Sequence, residues 1–181
     1  GVVGPNCHKM EDDSKNFLTV LMNLAVKKSQ VEYFKHALAL GSIATIKCLT
    51  KWTLKISYNA KTPGDLSNAV TLLKTQAGLI YYGKVHEFEH TYDFVAVDYW
   101  FDKKSTLEII ISVKAIATAT KLNSLVILKL KASRDYEEQK SYPTREFYRA
   151  LLSSFGFKII YKSEKHYRKA VLMGFLLCKT N

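Results

Sequence analysis

The chain has 181 residues, of which 48% are hydrophobic, and this length and composition favour a single globular unit over a disordered chain. Its formal net charge of +11 favours a polyanionic partner, and we expect nucleic acid rather than an anionic membrane surface, because no basic amphipathic helix or lipidation motif is present. Cys7, Cys48 and Cys178 lack CxxC spacing, which argues against a disulfide framework or an all-cysteine zinc site and favours a reducing, intracellular setting.

The sequence predicts one domain over residues 1–181, without membrane insertion. No internal repeat, low-complexity segment or linker divides the chain. No apolar run approaches the roughly 20 residues of a membrane span, and the N-terminus lacks a signal-peptide pattern. Residues 1–13 are expected to form an irregular N-terminal arm.

Two helical segments are predicted before the sheet begins. Ser14 can cap a helix that runs to about Val26, because the apolar residues of this stretch recur at helical spacing. A second helical segment is predicted over residues 29–40, with Gly41 as its stop. Residues 43–54 are ambiguous between helix and strand.

The first strand of the sheet is predicted over residues 52–57, which are rich in β-forming side chains. Residues 58–64 then form a predicted loop, and Asp65 or Ser67 can cap the helix that follows. Residues 79–82 are predicted to form the next short strand.

The central stretch predicts a strand, a crossover helix and a second parallel strand. Residues 92–98 form an apolar run that ends at Asp98, which is typical of a strand buried on both faces. A helix is predicted over residues 106–120, and residues 125–130 form the second apolar run, with Lys129 near its end. Because open α/β sheets bind ligands at the carboxyl ends of their strands, we expect Asp98 and Lys129 to lie close together at the ligand-binding edge.

The C-terminal part predicts a helix and a closing hairpin. Thr144 opens a helix that ends near Gly156, and residues 157–161 and 170–177 are predicted to pair as antiparallel strands. The expected fold is therefore α/β, a Rossmann-like methyltransferase sandwich whose sheet is mostly parallel and ends in a C-terminal antiparallel hairpin.

The chain resembles the RrmJ/FtsJ-like ribose 2′-O-methyltransferases, and among them the nidovirus replicase methyltransferases known from coronaviruses. The motifs that carry the resemblance are Pro5-Asn6, His8-Lys9-Met10, Met22-Asn23-Leu24-Ala25, residues 30–34, residues 92–98, Leu128-Lys129-Leu130 and the closing hairpin. The resemblance implies S-adenosylmethionine as cofactor, capped RNA as substrate, a possible viral replicase protein as partner, and a replication complex in the host cytoplasm.

The resemblance also implies a catalytic tetrad of lysine, aspartate, lysine and glutamate. By position, the first lysine is Lys28 or its neighbour Lys27, the aspartate is Asp98 and the second lysine is Lys129. Counting along the last strand puts Lys169 at the glutamate position, and the nearest carboxylate that could take its place is Glu164, in the predicted hairpin turn. A lysine whose pKa is lowered by burial can accept a proton from the ribose 2′-hydroxyl, while a carboxylate orients it.

For the cofactor, the resemblance implies the loop after the first predicted strand and the end of the central strand. The candidates are Ser57, Asn59, Gly64, Asp98 and Tyr99. The loop has one glycine where the family has several, and the residues after the next strand offer no acid for the ribose hydroxyls. An alternative therefore stays open, a non-catalytic RNA-binding or scaffold subunit that keeps the methyltransferase fold.

Residues 86–90, HEFEH, match the HExxH pattern of zinc proteases, which requires a helix. Gly83 precedes the motif and a strand is predicted from Tyr92, so we expect a solvated loop and no metal site.

Two further groups of residues can contact RNA, or can be ordinary core and solvated surface. The first is a set of aromatic residues near strand ends, Tyr81, Tyr82, Tyr99, Trp100 and Phe101, which can stack on bases. The second is a basic set in the hairpin, Lys158, Lys162, Lys165, Arg168 and Lys169, which can contact phosphates.

Overall fold

The computed structural model of the chain describes residues 7–134 and 142–181, with side chains from Phe17 onward. Within these residues the helices are α1 Cys7–Ser29, α2 Ile43–Leu49, α3 Pro63–Leu73, α4 Thr106–Ala119 and α5 Arg145–Ser154. The strands are β1 Phe34–Gly41, β2 Thr53–Ala60, β3 Ala77–Tyr82, β4 Tyr92–Asp98, β5 Thr120–Ala132, β6 Phe157–His166 and β7 Val171–Lys179. None of the described helices is long and apolar enough to span a membrane.

The strands form one seven-stranded sheet in the order β3-β2-β1-β4-β5-β7-β6. Strands β1 to β5 are parallel, and β7 runs antiparallel to both β5 and β6. The predicted fold class is therefore confirmed. The direction of the strand order reverses between β1 and β4, and ligands of open α/β sheets bind outside the carboxyl ends of the strands at such a point.

Helices cover both faces of the sheet and bury two apolar clusters. Helices α1, α2 and α3 pack on one face, with Leu21, Ile46 and Ala69 among the buried side chains. Helices α4 and α5 pack on the other face, with Val113 and Leu152 among the buried side chains. The result is a three-layer sandwich in which the central strands have no solvent-exposed face.

The stretch that forms β1 was predicted as helix, and this prediction is wrong. Residues 37–40 are continuously apolar and fully buried between β2 and β4. A short apolar run of this kind is compatible with a helix or a buried strand, and the two cannot be separated by periodicity. As a consequence, the strand predicted over residues 52–57 belongs to β2, and the loop that follows the first strand is Gly41-Ser42.

Several predicted boundaries also change. Residues 58–60 belong to β2 rather than to a loop, and α3 begins at Pro63, with Thr62 as its cap. The predicted irregular arm is helical from Cys7 to Asp13, and its residues 1–6 lie outside the described residues. The crossover helix was placed correctly, and it is observed as α4. Ser105 and Glu108 form a capping box that fixes its start.

Gly41 allows β1 and β4 to approach at their carboxyl ends. Its φ is +107°, and a Cβ at this position would lie 1.9 Å from the backbone oxygen of Asp98. The Tyr58 hydroxyl donates a hydrogen bond of 2.7 Å to the Gly41 carbonyl oxygen and holds the turn from the side of β2. Only glycine fits this backbone conformation and this close approach without strain.

We therefore expect Gly41→Ala to lower the free energy of unfolding by at least about 2 kcal/mol, since the added Cβ must displace the β4 backbone. Urea denaturation followed by circular dichroism measures the change. Gly64→Ala is the matched control, because the nearest atom to its Cβ is 3.7 Å away and Gly64 lies in the first turn of α3. Equal stability of the two variants would contradict the role given to Gly41.

Candidate functional site

Asp98 and Lys129 form an ion pair at the carboxyl edge of the sheet. The two residues are register partners on β4 and β5, and Lys129 Nζ lies 2.6 Å from Asp98 Oδ1. Their side chains are only 3% and 2% exposed. The expectation that the two residues lie close together at this edge is confirmed.

The alternation of side chains along each strand decides which face the pair occupies. Phe94 and Ala96 belong to the apolar cluster beneath α1, α2 and α3, and Asp98 follows them at the same period of two. Ile127 belongs to that cluster as well, and Lys129 comes two residues later. The pair therefore projects toward the layer of α1 to α3.

The turn after β1 provides a second partner for Asp98. Gly41 is the register partner of Asp98, and the hydroxyl of Ser42, which precedes α2, donates a hydrogen bond to Asp98 Oδ2. The carboxylate therefore meets Lys129 with one oxygen and Ser42 with the other. Sequence reasoning missed Gly41 and Ser42 because it assigned β1 to a helix. The signal available in the sequence was the short apolar run over residues 37–40 that is followed by Gly41 and Ser42.

Burial lowers the pKa of the Lys129 ammonium, and the nearby Asp98 carboxylate opposes this shift without cancelling it. The ring of Tyr99 covers the ammonium, with its centroid 4.6 Å from Lys129 Nζ and 4.7 Å from Lys131 Nζ. Tyr99 has a φ of +53°, and its N–H donates to the Lys129 carbonyl oxygen. Lys129 is thus an amine that loses its proton more readily than an ordinary lysine and lies under an aromatic ring.

A cavity of about 300 Å³ opens at the same edge, between the segments that follow β2, β3 and β4. Its lining residues include Lys61, Gly83, Lys84, Val85, Trp100, Asp102, Lys103, Lys104 and Glu108. Lys61 and Lys104 place their ammonium groups 5.0 and 4.3 Å from the centre of the Trp100 ring. Burial, with a further contribution from Lys61, lowers the pKa of Lys104 to about 8. The cavity is therefore positively charged and has apolar walls.

Asn59 lies near the end of β2, below the turn at Gly83. Its amide nitrogen donates 2.8 Å to the Gly83 carbonyl oxygen and 3.2 Å to that of Ala60. Its amide oxygen is buried and has no hydrogen-bond partner among the described residues. Buried acceptors without a partner are uncommon. Asn59 is fully buried and does not itself line the cavity, but its amide holds Gly83, which does.

Ser57 lies away from this edge, whereas Gly64 lies at it. Ser57 is buried within β2, where its hydroxyl contacts His36 Nε2 at 2.7 Å and accepts a hydrogen bond from the Leu79 N–H. Gly64 belongs to the first turn of α3. Of the residues predicted to bind the cofactor, Asn59, Gly64, Asp98 and Tyr99 therefore lie at the carboxyl edge, since α3 begins just after β2 ends at Ala60, and Ser57 does not.

Lys28 is not near Asp98 and Lys129. It lies with Lys27 in the last turn of α1, just before β1 begins at Phe34, and it lines a cavity of about 570 Å³ together with Lys121. This cavity is at the amino edge of the sheet, whereas Gly41 and Asp98 end their strands at the carboxyl edge. The placement of Lys28 or Lys27 in one site with the ion pair is therefore corrected, because the full length of β1 separates them.

Glu164 lies within β6 rather than in the hairpin turn, and its register partner is Met173. Met173 belongs to the apolar cluster beneath α4 and α5, so Glu164 projects to the face opposite Lys129. Lys169 is exposed between β6 and β7. Neither residue is brought to the ion pair. The prediction for Glu164 is wrong because the sequence does not reveal on which face of β6 its side chain lies.

The HEFEH segment lies in the irregular connection between β3 and β4, so the predicted loop is confirmed. Among the aromatic residues near the strand ends, Trp100 and Phe101 are buried, while Tyr82 is 56% exposed.

Comparison with known proteins identifies the fold. No family model matches the chain, and no curated protein sequence matches it. A putative sarcosine dimethylglycine methyltransferase from Galdieria sulphuraria is similar in structure, with a TM-score of 0.74, 11% identity, and coverage of 97% of this chain and 88% of that one.

A second similar structure is the 1,6-didemethyltoxoflavin-N1-methyltransferase from Burkholderia thailandensis, solved with S-adenosylhomocysteine, with a TM-score of 0.72, 10% identity, and coverage of 96% and 84%. The [4+2]-cyclase SpnF is also similar, with a TM-score of 0.68, 10% identity, and coverage of 90% and 80%. The chain has the Rossmann-like fold of S-adenosylmethionine-dependent methyltransferases.

The residues at the carboxyl edge fit the adenosine part of such a cofactor. The cavity has apolar walls from Val85 and Trp100, which suit an adenine ring, and Asn59, whose amide oxygen is unpartnered, lies directly behind Gly83 in the cavity wall. Gly41 does not add to this fit, because the space next to it is taken by the Asp98 backbone. The residues that line the cavity would hold the cofactor, with Asn59 fixing Gly83 from behind.

The buried ion pair yields a stability prediction. Lys129→Met should lower the free energy of unfolding by about 3–5 kcal/mol, because it leaves the Asp98 carboxylate buried without its cation. The double variant Asp98→Asn/Lys129→Met should recover most of this loss. A double-mutant cycle in urea measures the coupling, and a coupling near zero would contradict the ion pair.

Proposed function

We propose that the protein is an S-adenosylmethionine-dependent RNA ribose 2′-O-methyltransferase that acts on capped RNA. The observation that carries the proposal is the buried Asp98–Lys129 pair at the carboxyl edge of a methyltransferase fold, where it matches two positions of the family tetrad. The net charge of +11 supports an RNA substrate. The resemblance to nidovirus replicase enzymes supports a viral replicase partner and a replication complex in the host cytoplasm.

In this proposal Lys129 acts as the general base. Its lowered pKa raises the fraction of neutral amine near neutral pH, and the neutral amine takes the proton from the ribose 2′-hydroxyl. Asp98, held by Ser42, fixes the position of Nζ and stabilises the ammonium that forms. When bound, S-adenosylmethionine supplies the methyl group for the ribose oxygen. Tyr99 has to swing aside for the hydroxyl to reach Nζ.

The second candidate function is a non-catalytic RNA-binding or scaffold subunit with the same fold. The near-complete burial of Lys129 beneath Tyr99 favours it, because a general base has to contact its substrate. The similarity to SpnF, a cyclase, is compatible with this candidate, since one fold hosts many functions. Two measurements separate the two candidate functions. They are the affinity for the cofactor and the methyl-transfer activity after substitution of Lys129.

Cofactor binding is the first test. Calorimetric titration with S-adenosylhomocysteine should give saturable binding, and Asn59→Leu should weaken it about tenfold, because the substitution removes the hydrogen bond that holds Gly83 in the cavity wall. Gln76→Leu is the control, since Gln76 also donates to two backbone carbonyl oxygens but lies before β3, at the other end of that strand. No binding up to millimolar concentration would leave the scaffold candidate.

Loss of the base is the second test. Lys129→Arg keeps a positive charge beside Asp98 but cannot release its proton near neutral pH. We expect methyl transfer to a capped RNA oligonucleotide to fall by about 10²- to 10⁴-fold, with the far-ultraviolet circular dichroism spectrum unchanged. Lys131→Arg, two residues further on and also against Tyr99, should retain most activity. The wild-type rate should rise with pH as Lys129 loses its proton, and an active Lys129→Arg variant would exclude Lys129 as base.

A further inference from the structure

On the face of the sheet opposite the ion pair, three cationic side chains and a histidine surround the carboxylate of Glu164. Arg145 Nη1 lies 2.8 Å and His166 Nε2 3.5 Å from Glu164 Oε2. Lys162 Nζ lies 3.2 Å and Arg149 Nη2 3.4 Å from Glu164 Oε1. We call these five residues the Glu164 cluster.

Regular secondary structure fixes the positions of the Glu164 cluster. Lys162, Glu164 and His166 alternate along β6, so their side chains leave the strand on one face. Arg145 and Arg149 are one helical turn apart on α5 and project toward the same strand. The cations are therefore held together by α5 and β6 and not by a flexible loop.

The charges of the Glu164 cluster do not balance. Among the described residues, one carboxylate faces two arginines and a lysine, which leaves a net charge of +2. Burial alone would raise the pKa of Glu164, but hydrogen bonds and charges from Lys162 and Arg145 outweigh it and lower that pKa. The excess of cations among the described residues leaves the cluster able to bind a further anion.

The chemistry of the surplus cations fits phosphate. Arginine presents a planar fork of N–H donors that matches two oxygens of a phosphate group, and two arginines are present. The outer groups reach solvent, since the side chains of Arg149 and His166 are 42% and 48% exposed. Glu164 is 18% exposed and lies beneath them.

We propose that the Glu164 cluster binds a phosphodiester group of the RNA chain, with Glu164 holding the cations in place until the phosphate arrives. This inference rests on the proposed RNA substrate. Glu164 and Lys129 are level in the sheet, because Met173 pairs with Glu164 on one side and with Leu130 on the other. Two strand spacings, or roughly 10 Å, separate β5 from β6, so one RNA strand that crosses the carboxyl edge can reach both sites.

The test is binding of a fluorescently labelled single-stranded RNA, followed by anisotropy at several salt concentrations. Arg149→Ala should weaken binding about tenfold and reduce the slope of log affinity against log salt by about 0.7, the value for one phosphate contact. Lys51→Ala is the control with the same charge change, because Lys51 is exposed next to Trp52 near the amino edge of the sheet. It should change neither quantity.

Glu164→Gln provides the complementary arm. Removal of the competing carboxylate should tighten RNA binding severalfold while the melting temperature stays equal or falls. If Arg149→Ala matches Lys51→Ala and Glu164→Gln fails to tighten binding, the Glu164 cluster is a structural ion network and the inference is overturned, while the proposed methyltransferase is untouched. If the wild-type protein does not bind RNA, the proposed function fails together with this inference.

Discussion

The buried ion pair between Asp98 and Lys129 is the interaction on which the carboxyl edge of the sheet depends. Removal of two charges from water costs several kcal/mol for each ion, and this cost is offset only when the geometry is close and the remaining lone pairs are bound. The 2.6 Å contact provides the first condition, and the hydroxyl of Ser42 contributes to the second by binding the other carboxylate oxygen. Either charge alone would be unfavourable at this position.

The backbone around the pair is arranged to satisfy that geometry. Gly41 lets β1 approach Asp98 so closely that any Cβ would collide with the Asp98 carbonyl, and Ser42 then follows within reach of the carboxylate. On the other side, the α4 crossover returns the chain as β5, in a register that places Lys129 beside Asp98. The pair is therefore a product of the parallel topology, in which neighbouring strands end at one edge.

The sequence predicted those features that depend on one strand at a time. The β4 run, the crossover helix and the neighbouring ends of β4 and β5 were readable because apolar runs and polar ends are local patterns. Residues 34–41 were not readable, because alanine and leucine favour helix and only burial between β2 and β4 makes them a strand. The predicted positions of Lys28 and Glu164 were also wrong. The edge of the sheet at which a residue lies is set by topology, and the face to which its side chain points is set by register.

In the proposed mechanism, the burial that lowers the pKa of Lys129 also restricts the access of a substrate to it. Desolvation lowers the pKa of the ammonium, and that desolvation is produced by the protein that surrounds Nζ, including the Tyr99 ring. A substrate hydroxyl that displaces Tyr99 can keep water out only if it fills the space that the ring leaves. Entry of bulk water would weaken the shift and return Lys129 toward an ordinary lysine. Activity would therefore require a substrate that fills the space left by the Tyr99 ring. The basicity of Lys129 would then depend on how well the substrate fits at that position.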